Sequence, residues 1–113
     1  MVGGQRRVAL VTGSSRGLGS AIARRLARDG LTVAVNDRHG EGPALDVVGA
    51  IHEDGGIGNA FTGDVTDERQ VADLVATVTD TLGPIDVLVL NATGPQPGGP
   101  DHRRVVGGPP RPA

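Results

Sequence analysis

At 113 residues the chain has room for one domain at most, and 37% hydrophobic with 21% charged residues suits a globular protein better than a disordered one. A net charge of −2 gives no general attraction to phosphate polymers, so no nucleic-acid partner is expected, and the absence of cysteine excludes disulfides, thiolate catalysis and thiolate metal sites. Phe61 is the single aromatic residue and every basic residue is an arginine, so neither a tyrosine nor a lysine is available for chemistry anywhere in these residues. His39, His52 and His102 are scattered without pairing at helical or hairpin spacing, and no metal site is expected. No stretch approaches the roughly 20 apolar residues that a membrane span requires. The N-terminus runs straight into a short apolar segment without the features of a signal peptide, so the expected location is cytoplasmic.

Val8-Ala-Leu-Val-Thr12 is a continuous Val-rich run bounded by polar and glycine residues, which predicts a strand buried on both faces. The period then changes. Leu18, Ile22 and Leu26, with Ala21 beside them, predict a helix over 18–29 whose apolar stripe they form, stopped by Gly30. Thr32-Val-Ala-Val-Asn36 predicts a second strand, and Leu45, Val48 and Ile51 the buried stripe of a helix over 44–54. Gly55-Gly56 ends that helix, and Asn59-Ala-Phe-Thr62 follows as a third strand. Thr66 is the expected cap of a helix over 67–82, with Asp67 and Glu68 at the positive end of its dipole. Val71, Leu74, Val75, Val78 and Leu82 form its stripe, Gly83-Pro84 stops it, and Asp86-Val-Leu-Val-Leu90 is the fourth strand.

Short strands alternating with helices describe successive βαβ units, hence an α/β, Rossmann-like fold: a parallel sheet of about four strands in the order 3-2-1-4. Right-handed crossovers place the first two helices on one face and the third on the other, leaving the fourth strand as an exposed edge beside a partly uncovered apolar face. Residues 1–94 form the expected half-domain. More than half of residues 95–113 are Gly or Pro, without apolar periodicity, and a disordered tail is expected there.

In a dinucleotide fold the turn from first strand to first helix must let backbone approach the pyrophosphate, which then meets the N–H groups and positive dipole end of the helix. Gly13, Gly17 and Gly19 stand in that turn, between a predicted strand and a predicted helix. Asp37, at the end of the second strand, occupies the place of an acidic residue that binds the adenosine ribose hydroxyls. A carboxylate there favours NAD, while Arg16 and Arg38 are able to pair with a 2′-phosphate and favour NADP; the position of Asp37 tilts the expectation to NAD.

Thr12-Gly13-x-x-x-Gly17-x-Gly19 resembles the cofactor motif of the short-chain dehydrogenase/reductase family. Gly63-Asp64-Val65 is similar to that family's adenine-side contact, which implies Asp64 as a partner for the adenine amino group and Val65 as its apolar neighbour. Asp86-Val-Leu-Val leading to Asn91-Ala92 resembles the run into the family's Asn-Asn-Ala-Gly motif, although Leu90 replaces the first Asn and Thr93 intervenes before Gly94. The resemblance covers about residues 6–97. It implies a cofactor site of Gly13, Ser15, Arg16, Gly17, Leu18, Gly19, Asp37, Arg38, Asp64, Val65, Asn91 and Ala92, with NAD or NADP as the cofactor.

The same resemblance implies hydride transfer between a nicotinamide and an alcohol or carbonyl, for which the family uses a Tyr assisted by a Lys. Neither residue type occurs, so no catalytic residue is assigned; His102 is expected to be solvated. The abrupt change of composition leads to the expectation of a truncated reading of a longer gene, with a frameshift or misassembled end near Gly98. Three readings follow: the cofactor half of an oxidoreductase, inactive alone and meeting a small-molecule substrate only in a full-length form; a non-catalytic dinucleotide-binding module; and a non-functional fragment. Substrate and oligomeric state are not readable here.

Overall fold

The computed structural model describes residues 6–39 and 42–91. Four strands alternate with three helices: β1 (Val8–Val11), α1 (Gly17–Arg28), β2 (Thr32–Asp37), α2 (Gly42–Glu53), β3 (Ile57–Thr62), α3 (Glu68–Leu82) and β4 (Ile85–Val89). The strands form one parallel sheet in the order β3-β2-β1-β4, as the alternation predicts. The chain therefore steps outward from β1 to β3 and returns to the far side of β1 to make β4. Such a reversal opens a crevice at the carboxyl ends of the strands, where open α/β sheets take their ligands.

The two faces are covered unequally. Val11, Val33 and Val35 pack with Ala23 and Ala27 of α1 and with Ala44, Val47, Val48 and Ile51 of α2. On the other face Val8, Leu10, Ala34 and Phe61 meet Leu74 and Val78 of α3, with Leu82, Val65 and Ile85 partly buried around them. Burying each Val or Leu side chain contributes about 1.5–3 kcal/mol. Leu88 pairs with Leu10 across the β1–β4 ladder yet is 54% exposed, because α3 does not reach it. The uncovered patch beside β4 lies where the topology predicts it.

Three packing expectations are corrected. In α1 the residues against the sheet are Gly19, Ala23 and Ala27; Ile22 and Leu26 flank them, Ala21 is exposed, and Leu18 points outward at 70% exposure. Small side chains let the helix backbone lie close on the sheet, which the larger ones would prevent. In α2 the buried stripe is Ala44, Val47, Val48 and Ile51, whereas Leu45 is exposed. In α3 Leu74 and Val78 are buried, but Val75 is exposed.

The cap of α3 is also not Thr66. Asp67 is the N-cap, its Oδ1 accepting from the backbone N–H groups of Arg69 (2.9 Å) and Gln70 (3.2 Å). Thr66 is occupied elsewhere, donating to Asp64. At the start of β4 the ladder with β1 is irregular: Val8 pairs Ile85 and Ala9 pairs Val87, leaving Asp86 as the extra residue. The Asp86 carboxylate accepts from the Val8 N–H at 2.8 Å and so replaces the ladder acceptor lost at the bulge.

Candidate functional site

The carboxyl ends of β1, β2, β3 and β4 converge on the turn between β1 and α1. Gly13 (φ 61°) and Gly17 (φ 55°) both lie in the left-handed region, which costs other residues about 1–2 kcal/mol. The turn is fastened to β2. Ser14 N–H donates to the Asn36 carbonyl at 2.9 Å, and Ser14 Oγ accepts from Asn36 N–H at 2.9 Å while donating to the Val11 carbonyl at 2.7 Å. Gly13 N–H donates to Asn36 Oδ1 at 3.0 Å.

Asn91, just beyond β4, holds the same turn from the other side. Its Nδ2 donates to the Gly13 carbonyl at 3.0 Å and its N–H to Thr12 Oγ1 at 2.9 Å. The side chain of Asn91 thus braces the turn.

Helix α1 starts with its N–H groups uncapped by side chains: Arg16 is the N-cap residue and makes no side-chain capping bond, and the first turn holds no carboxylate. The N–H groups of Gly17, Leu18 and Gly19 therefore form the positive end of a helix dipole at the mouth of the crevice. Gly19 is required by space. A Cβ on it would collide with the Gly13 carbonyl oxygen and stand 2.6 Å from Asn91 Nδ2 and 2.9 Å from Ser14 Cα.

Ser15 Oγ donates to Asp37 Oδ1 at 3.3 Å, joining the turn to the end of β2. Beside it, Asp64 follows β3. Its Oδ1 accepts from both Thr66 N–H (2.9 Å) and Thr66 Oγ1 (2.6 Å), and its Oδ2 pairs with Arg38 Nη2 at 3.3 Å. These hydrogen bonds from Thr66, with a smaller contribution from the Arg38 charge, hold the Asp64 carboxyl below its ordinary value of 3.8. Val65 is half-buried against the α3-side core.

Of the residues expected at the site, Gly13, Ser15, Arg16, Gly17, Leu18, Gly19, Asp37, Arg38, Asp64, Val65 and Asn91 all lie around the carboxyl ends of the strands and the start of α1; Ala92 lies outside the described residues. Asn36 is the residue that pattern reading missed. It is 2% exposed in β2, directly after the apolar run Val33-Ala-Val35, and a buried amide in such a place must find partners, which is the signal that marks it. A pocket of about 430 Å³ lies at the opposite end of the sheet, lined by Arg6, Thr32, Pro84 and Asp86 among others.

A family model for short chain dehydrogenase matches residues 7–104. The chain belongs to the short-chain dehydrogenase family. It is 42% identical over 86 residues to an L-rhamnose 1-dehydrogenase (NAD(P)(+)) of Sphingomonas sp. (strain SKA58), covering 76% of this chain and 34% of that one. A short-chain dehydrogenase/reductase homolog of Bacillus subtilis (strain 168), YusS, is 37% identical over 87 residues, covering 77% of this chain and 80% of the relative. The fold matches a crystal structure of hydroxysteroid dehydrogenase from Escherichia coli with a TM-score of 0.75 and 34% identity, over 80% of this chain and 38% of that one. Against most of these relatives the short-chain dehydrogenase segment spans about a third of their length.

Proposed function

We propose that the chain binds a nicotinamide dinucleotide across the carboxyl ends of β1, β2 and β3, as the cofactor-holding part of an oxidoreductase. The observation that carries this is the turn itself. Gly13 and Gly17 take left-handed backbone, Gly19 leaves no room for a Cβ, and the uncapped N-terminus of α1 offers donors without a competing carboxylate. These residues fit a pyrophosphate, which needs close backbone approach and unpaired N–H groups at a positive dipole end.

When bound, the dinucleotide supplies hydride chemistry between its nicotinamide and an alcohol or carbonyl. The protein residues orient it. In this reading Asp37 accepts from the adenosine ribose hydroxyls and Asp64 and Val65 meet the adenine, while Asn91 holds the Gly13 carbonyl. NAD is the favoured cofactor. The carboxylate of Asp37 repels a 2′-phosphate, and Arg38, the neighbouring candidate for pairing with one, is turned to Asp64. Arg16 stays exposed at the turn and is the residue through which NADP would bind.

These residues hold the cofactor and do not by themselves turn over substrate, because no tyrosine or lysine is present to exchange a proton with the substrate oxygen. A non-catalytic dinucleotide-binding module is the second reading, favoured by that same absence. Residues 95–113, the expected Gly/Pro-rich tail, lie outside the described residues.

The test is a titration of NADH followed by its nicotinamide fluorescence. Saturable binding that Gly13→Val weakens at least tenfold is expected. An unchanged dissociation constant in that variant would show that the turn is not the site.

A further inference from the structure

The two peptide groups that flank Gly13 are each held by a side-chain amide. Asn91 Nδ2 donates to the Gly13 carbonyl, and Asn36 Oδ1 accepts from the Gly13 N–H, each at 3.0 Å. Asn36 Nδ2 in turn faces the end of β3. It donates to the carbonyls of Gly63 (3.2 Å) and Phe61 (3.3 Å), beside Asp64, with a longer contact to the adjacent Asp37 carbonyl (3.5 Å). With 2% of its surface exposed, the side chain has no access to water as a substitute partner.

The direction of these bonds matters. The two donors fix the amide plane against β3, and that leaves Oδ1 aimed at one target, the Gly13 N–H. An apolar residue here would extend the apolar run of β2 and satisfy the core equally well. The side-chain bonds of Asn36 instead join the end of β2 to the Gly13 turn and to the end of β3 and the loop after it, which border the candidate site.

We propose that Asn36 is a positioning residue for the cofactor pyrophosphate. By occupying the Gly13 N–H it fixes the orientation of the turn, so that the donors left for a phosphate are those of Gly17, Leu18 and Gly19 at the start of α1. This rests on the dinucleotide reading above. A turn held before the ligand arrives loses less conformational freedom on binding, which is where the gain in affinity originates.

The test uses the 113-residue chain and two probes, ADP, which carries the pyrophosphate, and adenosine, which does not. Calorimetric titration of Asn36→Ala is expected to show ADP weakened at least tenfold and adenosine threefold or less. Equal losses for the two probes would reduce Asn36 to a structural residue and overturn the proposal. A wild-type chain that binds neither probe would instead overturn the dinucleotide reading. Should Asn36→Ala fail to fold, amide exchange on the ¹⁵N-labelled wild-type chain decides. The Gly13 amide is expected to be protected before ADP is added and to shift less than the Leu18 and Gly19 amides afterwards. A freely exchanging Gly13 amide, or one that shifts most on binding, contradicts the assignment.

Discussion

Replacing Gly19 with Ala separates a glycine kept for close approach from one that is merely tolerated. In an unhindered helix the change stabilises by about 0.5–1 kcal/mol, since glycine loses more backbone freedom on folding. At Gly19 the new methyl meets the Gly13 carbonyl oxygen, Ser14 Cα at 2.9 Å and Asn91 Nδ2 at 2.6 Å. Two of these atoms are backbone, so relief requires α1 to move off the sheet or the turn to distort. Overpacking of this kind costs about 1–3 kcal/mol. Subtracting the helix gain leaves Gly19→Ala destabilised by up to about 2.5 kcal/mol, roughly 1 kcal/mol at mid-range, and for a domain of this size each kcal/mol lowers Tm by about 4–8 °C. Gly49, exposed in α2 with nothing within 4 Å of a built Cβ, provides the matched control. Gly49→Ala is expected to raise Tm. Thermal unfolding followed by far-UV circular dichroism measures both, and a Tm for Gly19→Ala at or above wild type would refute the close-approach argument.

Asp67→Ala removes the acceptor for the Arg69 and Gln70 N–H groups and is expected to cost about 1 kcal/mol in denaturant unfolding. Thr66→Ala leaves that cap in place, so a similar cap loss from both variants would contradict the assignment of Asp67. Because folding lowers the Asp64 pKa below 3.8, its ionised form supports stability at pH values above 3.8, and this contribution is lost as pH falls through the folded pKa. Thr66→Val removes the hydroxyl donor and is expected to move the Asp64 titration upward, as read by carboxyl NMR; an unmoved midpoint would assign the shift to another cause. Asp37→Ala is expected to erode the preference for NADH over NADPH. A constant ratio of the two dissociation constants would mean that another residue reads the ribose.

Strand positions were legible because burial on both faces writes a continuous apolar run, as in Val8–Val11 and Thr32–Val35. Sheet order followed from the βαβ alternation and the handedness of its crossovers. The contact face of α1 was not legible, because the residues that touch the sheet, Gly19, Ala23 and Ala27, carry little hydrophobic weight, while Leu18 carries much and points outward. The cap of α3 was displaced by one residue. Thr66 and Asp67 are both able to cap; in the fold Asp67 accepts from the Arg69 and Gln70 N–H groups while Thr66 donates to Asp64. At the site, the glycines and Asp37 stood out because each occupies a spacing that chemistry demands, and Asp64 because Gly63-Asp64-Val65 resembles the family's adenine-side contact. Asn36 did not, since apart from the adjacent Asp37 carbonyl its side-chain partners Gly13, Phe61 and Gly63 lie 23 to 27 residues away and only the folded sheet brings them together.

Mapping NAD binding on the ¹⁵N-labelled chain tests the central claim most directly. Amide shifts are expected to concentrate at Gly17, Leu18 and Gly19, with further changes at Asp37 and Asp64. Shifts clustered instead around Arg6, Thr32 and Asp86 at the other end of the sheet, or no shifts at millimolar NAD, would contradict it.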